Sequence, residues 1–131
     1  MTLETMEPNP VWTEEAYADS VDTLASLRRD LTYKVWGGDW CIDCRSQLPD
    51  FAAALDAAKV PRSRIEHFPV EKEEDGSKTG PGVEEYDIEY IPTVVVERGG
   101  EEIARFVEEE PLPIAVYLAQ ELEDLAPSTR E

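Results

Sequence analysis

Trp40-Cys41-Ile42-Asp43-Cys44 contains both cysteines of the 131-residue chain. Pro49 follows five residues after Cys44, and Ile91-Pro92-Thr93 lies further along. Two thiols three positions apart can close a small disulfide ring. A chain that keeps no other cysteine is expected to use such a pair for chemistry, and the chemistry it suits is reversible thiol–disulfide exchange.

Around this motif the chain alternates helix and strand signals. Thr13 is placed to cap a helix with Glu14 and Glu15 in its first turn, and Tyr17, Val21 and Leu24 continue it to about Arg29. Thr32–Trp36 is rich in strand formers and stops at Gly37-Gly38. A second helix starts at the cysteines, buries Leu48, Phe51, Ala52 and Leu55, is kinked at Pro49 and ends at Pro61. Ile65–Val70 reads as a strand that Pro69 confines to a sheet edge. A polar loop, Glu71–Gly82, leads to a short helix around Val83–Asp87. Two strand-forming runs, Thr93–Glu97 and Glu102–Val107, flank Gly99-Gly100 as a hairpin. Pro111 and Pro113 open a last helix with Ala115, Leu118, Leu122 and Leu125 inside. The expected class is α/β: one domain over 1–131, with a central mixed sheet of about four strands and about four helices on its two faces. Residues 1–12 are expected to be a flexible leader and 127–131 a tail.

Thirty acidic residues oppose twelve basic ones, of which four are lysine, giving a net charge of −18. The acids are spread along the chain, unlike a single acidic tail. This pattern resembles the lysine-poor surfaces of proteins from salt-loving archaea, where short screening lengths tolerate like-charge crowding. Nucleic acid is excluded as a partner, because phosphate contacts need a basic face. The opening residues carry no basic stretch and no apolar run, and no segment is long enough to span a bilayer, so a cytoplasmic, monomeric protein is expected. In a reducing compartment a cysteine pair is catalytic or metal-binding more often than structural. Structural zinc wants four nitrogen or sulfur ligands, and two cysteines and one histidine do not supply them, so no metal is expected. No Gly-x-Ser-x-Gly occurs for serine hydrolysis.

Placing Cys41 in the first turn of a helix points unpaired N–H groups at its sulfur, which favours the thiolate, while Asp43 opposes it and Arg45 partly offsets Asp43. Cys44, one turn deeper, is expected to be more buried and to stay protonated until needed.

Trp-Cys-x-x-Cys, a basic residue next, the proline five positions on, and Ile-Pro-Thr followed by two strands around a glycine turn together resemble the thioredoxin family over roughly 31–126. The Cys-x-Asp-Cys form is similar to its small members with Trp-Cys-x-Asp-Cys motifs. The resemblance implies a thioredoxin-like fold and a disulfide reductase in which Cys41 is the attacking nucleophile and Cys44 the resolving thiol. It makes Trp40 an apolar shield and Pro92 a cis residue that presents Ile91 to an extended client, with Thr93 alongside. No bound cofactor is implied beyond the Cys41–Cys44 pair. Partners would be protein disulfide clients and either a thioredoxin reductase or a small-thiol reductant. Glutaredoxin-like use of glutathione fits poorly, since its carboxylates prefer basic neighbours.

Three departures from the family stand out. The buried aspartate usual on the strand before the motif is Val35 here, and its basic partner falls near His67, so His67 is a candidate for proton handling. The glycine frequent after the last strand is Glu108, followed by Glu109 and Glu110, an acidic rim that would favour basic clients. Pro8 and Pro10 occupy the place of the first strand, and the Glu71–Gly82 loop is lengthened, a change that bears on partner choice more than on chemistry. A non-catalytic redox-sensing or interaction module on the same fold is the rival reading.

Overall fold

The computed structural model describes residues 3–75, 77–108, 110 and 112–123. Its frame is the β-forming run that precedes the cysteines, β1 (Leu31–Gly37). It pairs in parallel with β2 (Ile65–Pro69) and antiparallel with β5 (Thr93–Arg98), which pairs antiparallel with β6 (Glu101–Val107). The order β2-β1-β5-β6 makes a mixed four-stranded sheet. Pro69 ends the edge strand opposite Gly37, where its missing N–H breaks no inner ladder. Gly99 and Gly100 both take positive φ, 60° and 87°, as a two-residue hairpin turn of right-handed twist demands. The Glu71–Gly82 loop is not wholly irregular. It contains a two-rung hairpin, β3 (Glu71–Lys72) against β4 (Lys78–Thr79).

One sheet face is covered by helices. α2 (Ile42–Ala57) packs Phe51 edge-on against Tyr33, and α3 (Ile114–Leu122) packs Tyr117 edge-on against Phe106. α1 (Ala18–Ser26) lies against both. Leu48, Phe51, Ala52 and Leu55 of α2 and Ala115, Leu118 and Leu122 of α3 are all buried, as their spacing predicts. Leu125 and the 127–131 tail lie outside the described residues.

The other face differs from the expectation of a helix there. Trp36 stacks on Phe68 at 4.6 Å, lies 4.8 Å from Tyr86 and donates its indole N–H to the Pro81 carbonyl. The covering segment, 81–90, runs through successive turns instead of the short helix anticipated at Val83–Asp87. Its one helical bond, Tyr86 N–H to Gly82, is not continued. Asp87 takes a left-handed φ of 54°, and Ile88 N–H reaches back to Val83. That is the geometry of a helix end without a helix before it.

Other boundaries moved for local reasons. Thr13 makes no side-chain cap, and Glu14–Tyr17 is a 3-10 turn before α1 begins. α2 stops at Ala57 because Lys59 turns left-handed, with φ 62°, so Pro61 is not the stop. Pro49 sits inside α2, and its carbonyl accepts the N–H of Asn9. The leader anticipated as flexible is docked from Leu3 onward. Leu3, Thr5 and Met6 are buried, and Glu4–Met6 forms a 3-10 turn packed against α2; among the described residues 3–12 no strand forms.

Candidate functional site

Cys41 is the N-cap of α2, in extended conformation, and its sulfur accepts the backbone N–H of Cys44 at 3.3 Å. A sulfur so placed answers one of the donors that a helix start leaves unpaired. On its other side Cys41 Sγ lies 3.8 Å from the carbonyl oxygen of Ile91, to which its S–H donates. The motif and Ile91-Pro92-Thr93, fifty residues apart, therefore meet at this sulfur. Both cysteines are free thiols. Cys41 is 9% exposed and Cys44 0%, so the difference in depth runs in the direction expected, but Cys41 is more covered than an open nucleophile. Burial, then the hydrogen bond with Cys41, pushes the Cys44 thiol far above its ordinary range.

Trp40, about half exposed, is fixed by its indole N–H on the Val70 carbonyl at 2.9 Å. Its ring lies so close over Gly38 that a Cβ there would stand 2.5 Å from Trp40 Nε1, and glycine alone leaves room. Ile91-Pro92 is a cis peptide. Thr93 Oγ1 donates to the Tyr90 carbonyl, and Ile91 and Thr93 are themselves buried. Glu108 is joined to this loop through its backbone N–H on the Pro92 carbonyl at 2.8 Å, while its own carbonyl accepts Gln47 Nε2. It holds a left-handed φ of 38°, the conformation that suits glycine. Glu109 of the anticipated rim is outside the described residues. Trp40 and Ile42, the chain neighbours of Cys41, and Tyr90, next to Ile91, are exposed apolar side chains. Arg45 makes no ion pair with Asp43 among the described residues.

His67 stands beside Val35 in the β1–β2 register. Its Nδ1 accepts the Leu3 backbone N–H at 3.0 Å, and no hydrogen bond joins it to either sulfur among the described residues. Burial lowers its pKa, with Asp39 acting the other way.

Four contributors were not singled out from the sequence: Leu3, Asp39, Gln47 and the Val70 carbonyl. Leu3 and Met6, apolar and three positions apart, were the available signal for docking. Backbone carbonyls leave none. Among the described residues, no group of three or more His, Cys, Asp or Glu side chains is placed to hold a metal ion, and no helix is long and apolar enough to cross a membrane.

No protein-family model matches the chain, and no curated protein does. Solved structures do match. A mutant thioredoxin from Halobacterium salinarum is 18% identical, with 97% of each chain covered and a TM-score of 0.51. Thioredoxin O2 from Arabidopsis thaliana in its oxidized state is 16% identical over 96% of this chain and 100% of that one, with a TM-score of 0.47. At 18% identity the likeness to the first is one of fold: the chain has a thioredoxin-like α/β fold with a close cysteine pair beside a tryptophan, consistent with a redox-active dithiol.

Proposed function

We propose that this chain is a dithiol–disulfide oxidoreductase that reduces protein disulfides through Cys41 and Cys44. The observation that carries the reading is the placement of Cys41 Sγ between the Cys44 N–H and the Ile91 carbonyl, with Cys44 buried one turn below. The thiolate of Cys41 attacks one sulfur of a client disulfide. The client S–S bond breaks, a Cys41–client bond forms, and the departing client sulfur takes up a proton. Cys44 then loses its proton and attacks Cys41 Sγ, releasing the second client thiol and leaving a Cys41–Cys44 disulfide. Two electrons have passed to the client, and a thioredoxin reductase or a small thiol returns them.

Trp40 and Pro92 support this centre as shield and client-facing wall, and Ile91 offers backbone groups to an extended client with Thr93 holding the loop beneath. Asp43 and Glu108 bias the rim toward basic clients. The protein is placed in the cytoplasm of a salt-adapted cell, acting as a monomer, on the grounds of its charge and its cysteine usage.

The test is turnover of a generic disulfide protein at molar salt with a thiol reductant present, for wild type and Cys41→Ser, together with the reduction potential of the couple. Catalytic turnover lost in Cys41→Ser and a potential near about −270 mV support a reductant. A potential near about −120 to −180 mV reverses the direction. The small exposure of Cys41, 9%, favours a second reading, a redox-sensing module. Slow stoichiometric oxidation without turnover would select it.

A further inference from the structure

Three consecutive backbone N–H groups of the leader are each taken by a side chain from elsewhere in the fold. Leu3 N–H goes to His67 Nδ1 at 3.0 Å, Glu4 N–H to Asp39 Oδ2 at 3.2 Å, and Thr5 N–H to Asp39 Oδ1 at 3.0 Å. His67 belongs to β2, and Asp39 stands between β1 and Cys41, so the two acceptors bracket the end of β1 at Gly37. Gly37 has no side chain, and the place its Cβ would take is already surrounded. Leu3 Cδ1 is 3.5 Å from that point, Cys44 Sγ 3.4 Å and Leu48 Cδ1 3.0 Å. Leu3, at 1% exposure, and the Cys44 sulfur therefore border the same point in the core, beside Gly37.

We propose that Leu3–Met6 is a plug over the resolving thiol, and that His67 and Asp39 are positioning residues that hold Leu3 at that point beside Cys44 and keep water from its sulfur. The inference rests on the reading of Cys44 as the resolving thiol. It gives His67 a role that passes through Leu3 and needs no proton exchange with sulfur. An Nδ1 that accepts an amide N–H carries no proton, so the ring's proton is on Nε2. Glutamine can offer an acceptor oxygen in the same direction but cannot titrate, which separates latch from proton carrier. A thiolate needs solvation, so drying its pocket keeps Cys44 protonated, and wetting the pocket makes it reactive.

The experiment measures alkylation of Cys44 by iodoacetamide in a Cys41→Ser background, from pH 6 to 10 at molar salt. Leu3→Ala, His67→Ala and Asp39→Ala are expected to raise the rate at pH 8 by roughly tenfold and to move its pH midpoint down. His67→Gln is expected to stay within about twofold of the background. An unchanged rate in Leu3→Ala overturns the plug. His67→Gln reacting like His67→Ala overturns the latch. If Leu3→Ala fails to fold by circular dichroism, Leu3→Val reads the same rate, and no increase there counts against the plug. Because alkylation requires no client turnover, a wild type inactive on disulfides would refute the proposed activity while leaving these rates to decide the plug.

Discussion

Trp40 donates its indole N–H to the carbonyl of Val70 at 2.9 Å, while Val70 N–H bonds the Gly37 carbonyl at 2.8 Å. One residue past the edge strand therefore holds both the end of β1 and the tryptophan that precedes Cys41. The inserted β3–β4 hairpin starts at the next position, so it is tethered beside Trp40.

This arrangement depends on Gly38. In Gly38→Ala the added carbon would stand 2.5 Å from Trp40 Nε1 and 2.7 Å from Cε2, and the ring must leave Val70. The variant is expected to lose about 1–3 kcal/mol of stability, through a lost hydrogen bond and a displaced ring, and to slow client reduction. Urea unfolding and disulfide turnover measure the two effects. Trp40→Phe, which removes the donor but keeps an aromatic ring, should lose stability without the steric part.

Glu108 joins backbone strain to surface charge, and two variants separate them. A non-glycine residue at φ 38° is held in the left-handed region at a cost of about 1 kcal/mol. Glu108→Gly is expected to be as stable as wild type or more so, by up to about 1 kcal/mol once the extra freedom of glycine when unfolded is counted. Glu108→Gln keeps the strain and removes the charge. Both should relax the preference for basic clients. If only Glu108→Gly alters client choice, shape rather than charge governs that rim. Rates on matched basic and acidic disulfide peptides decide it.

The order of elements was legible because strand and helix periods are local. The Thr32–Trp36 run, the glycine turn at Gly99-Gly100 and the buried positions of α2 and α3 depend on neighbours within one or two turns. The cysteine pair and Ile91-Pro92-Thr93 were legible as a constellation, though only the fold brings the Ile91 carbonyl to Cys41. What sequence hid was set by tertiary contact. Residues 83–87 have helical spacing, yet Trp36 and the left-handed Asp87 arrest them as turns. The leader looked loose because its anchors, His67 and Asp39, lie far along the chain. Glu108 revealed its strain only through φ.

His67 also gives a pH dependence with a definite sign. Burial lowers its folded pKa below the unfolded value, and Asp39 opposes this; Glu7, Asp56 and Arg62 line the same cavity of about 380 Å³. A base whose folded pKa is depressed binds more protons when unfolded, so stability rises with pH through that window. The contribution is complete above about pH 6.5 and is lost as pH falls through the folded pKa. Asp39 behaves separately. Burial raises its pKa, but the N–H bonds from Thr5 and Glu4 outweigh that and lower it, so its contribution is lost only in stronger acid. The melting temperature of wild type is therefore expected to fall between pH 7.5 and 5, and His67→Gln to flatten that slope while leaving the acid limb of Asp39. An equal slope in both proteins would assign the loss to other groups.

The charge of −18 predicts the last effect, a rise of stability with salt. Like charges on a compact surface repel more than on an expanded chain, and the Debye length shrinks from about 10 Å at 0.1 M to about 3 Å at 1 M. The melting temperature is expected to climb steeply over that range of sodium chloride. Screening can be told from salting-out by reducing the charge. Replacing the exposed Glu14, Glu15, Glu84 and Glu85 by glutamine removes four negative charges away from the cysteine motif. The variant should be more stable than wild type at 0.1 M, and the two should converge toward 1 M. Parallel curves would mean that salt acts through apolar burial, which the substitutions do not alter.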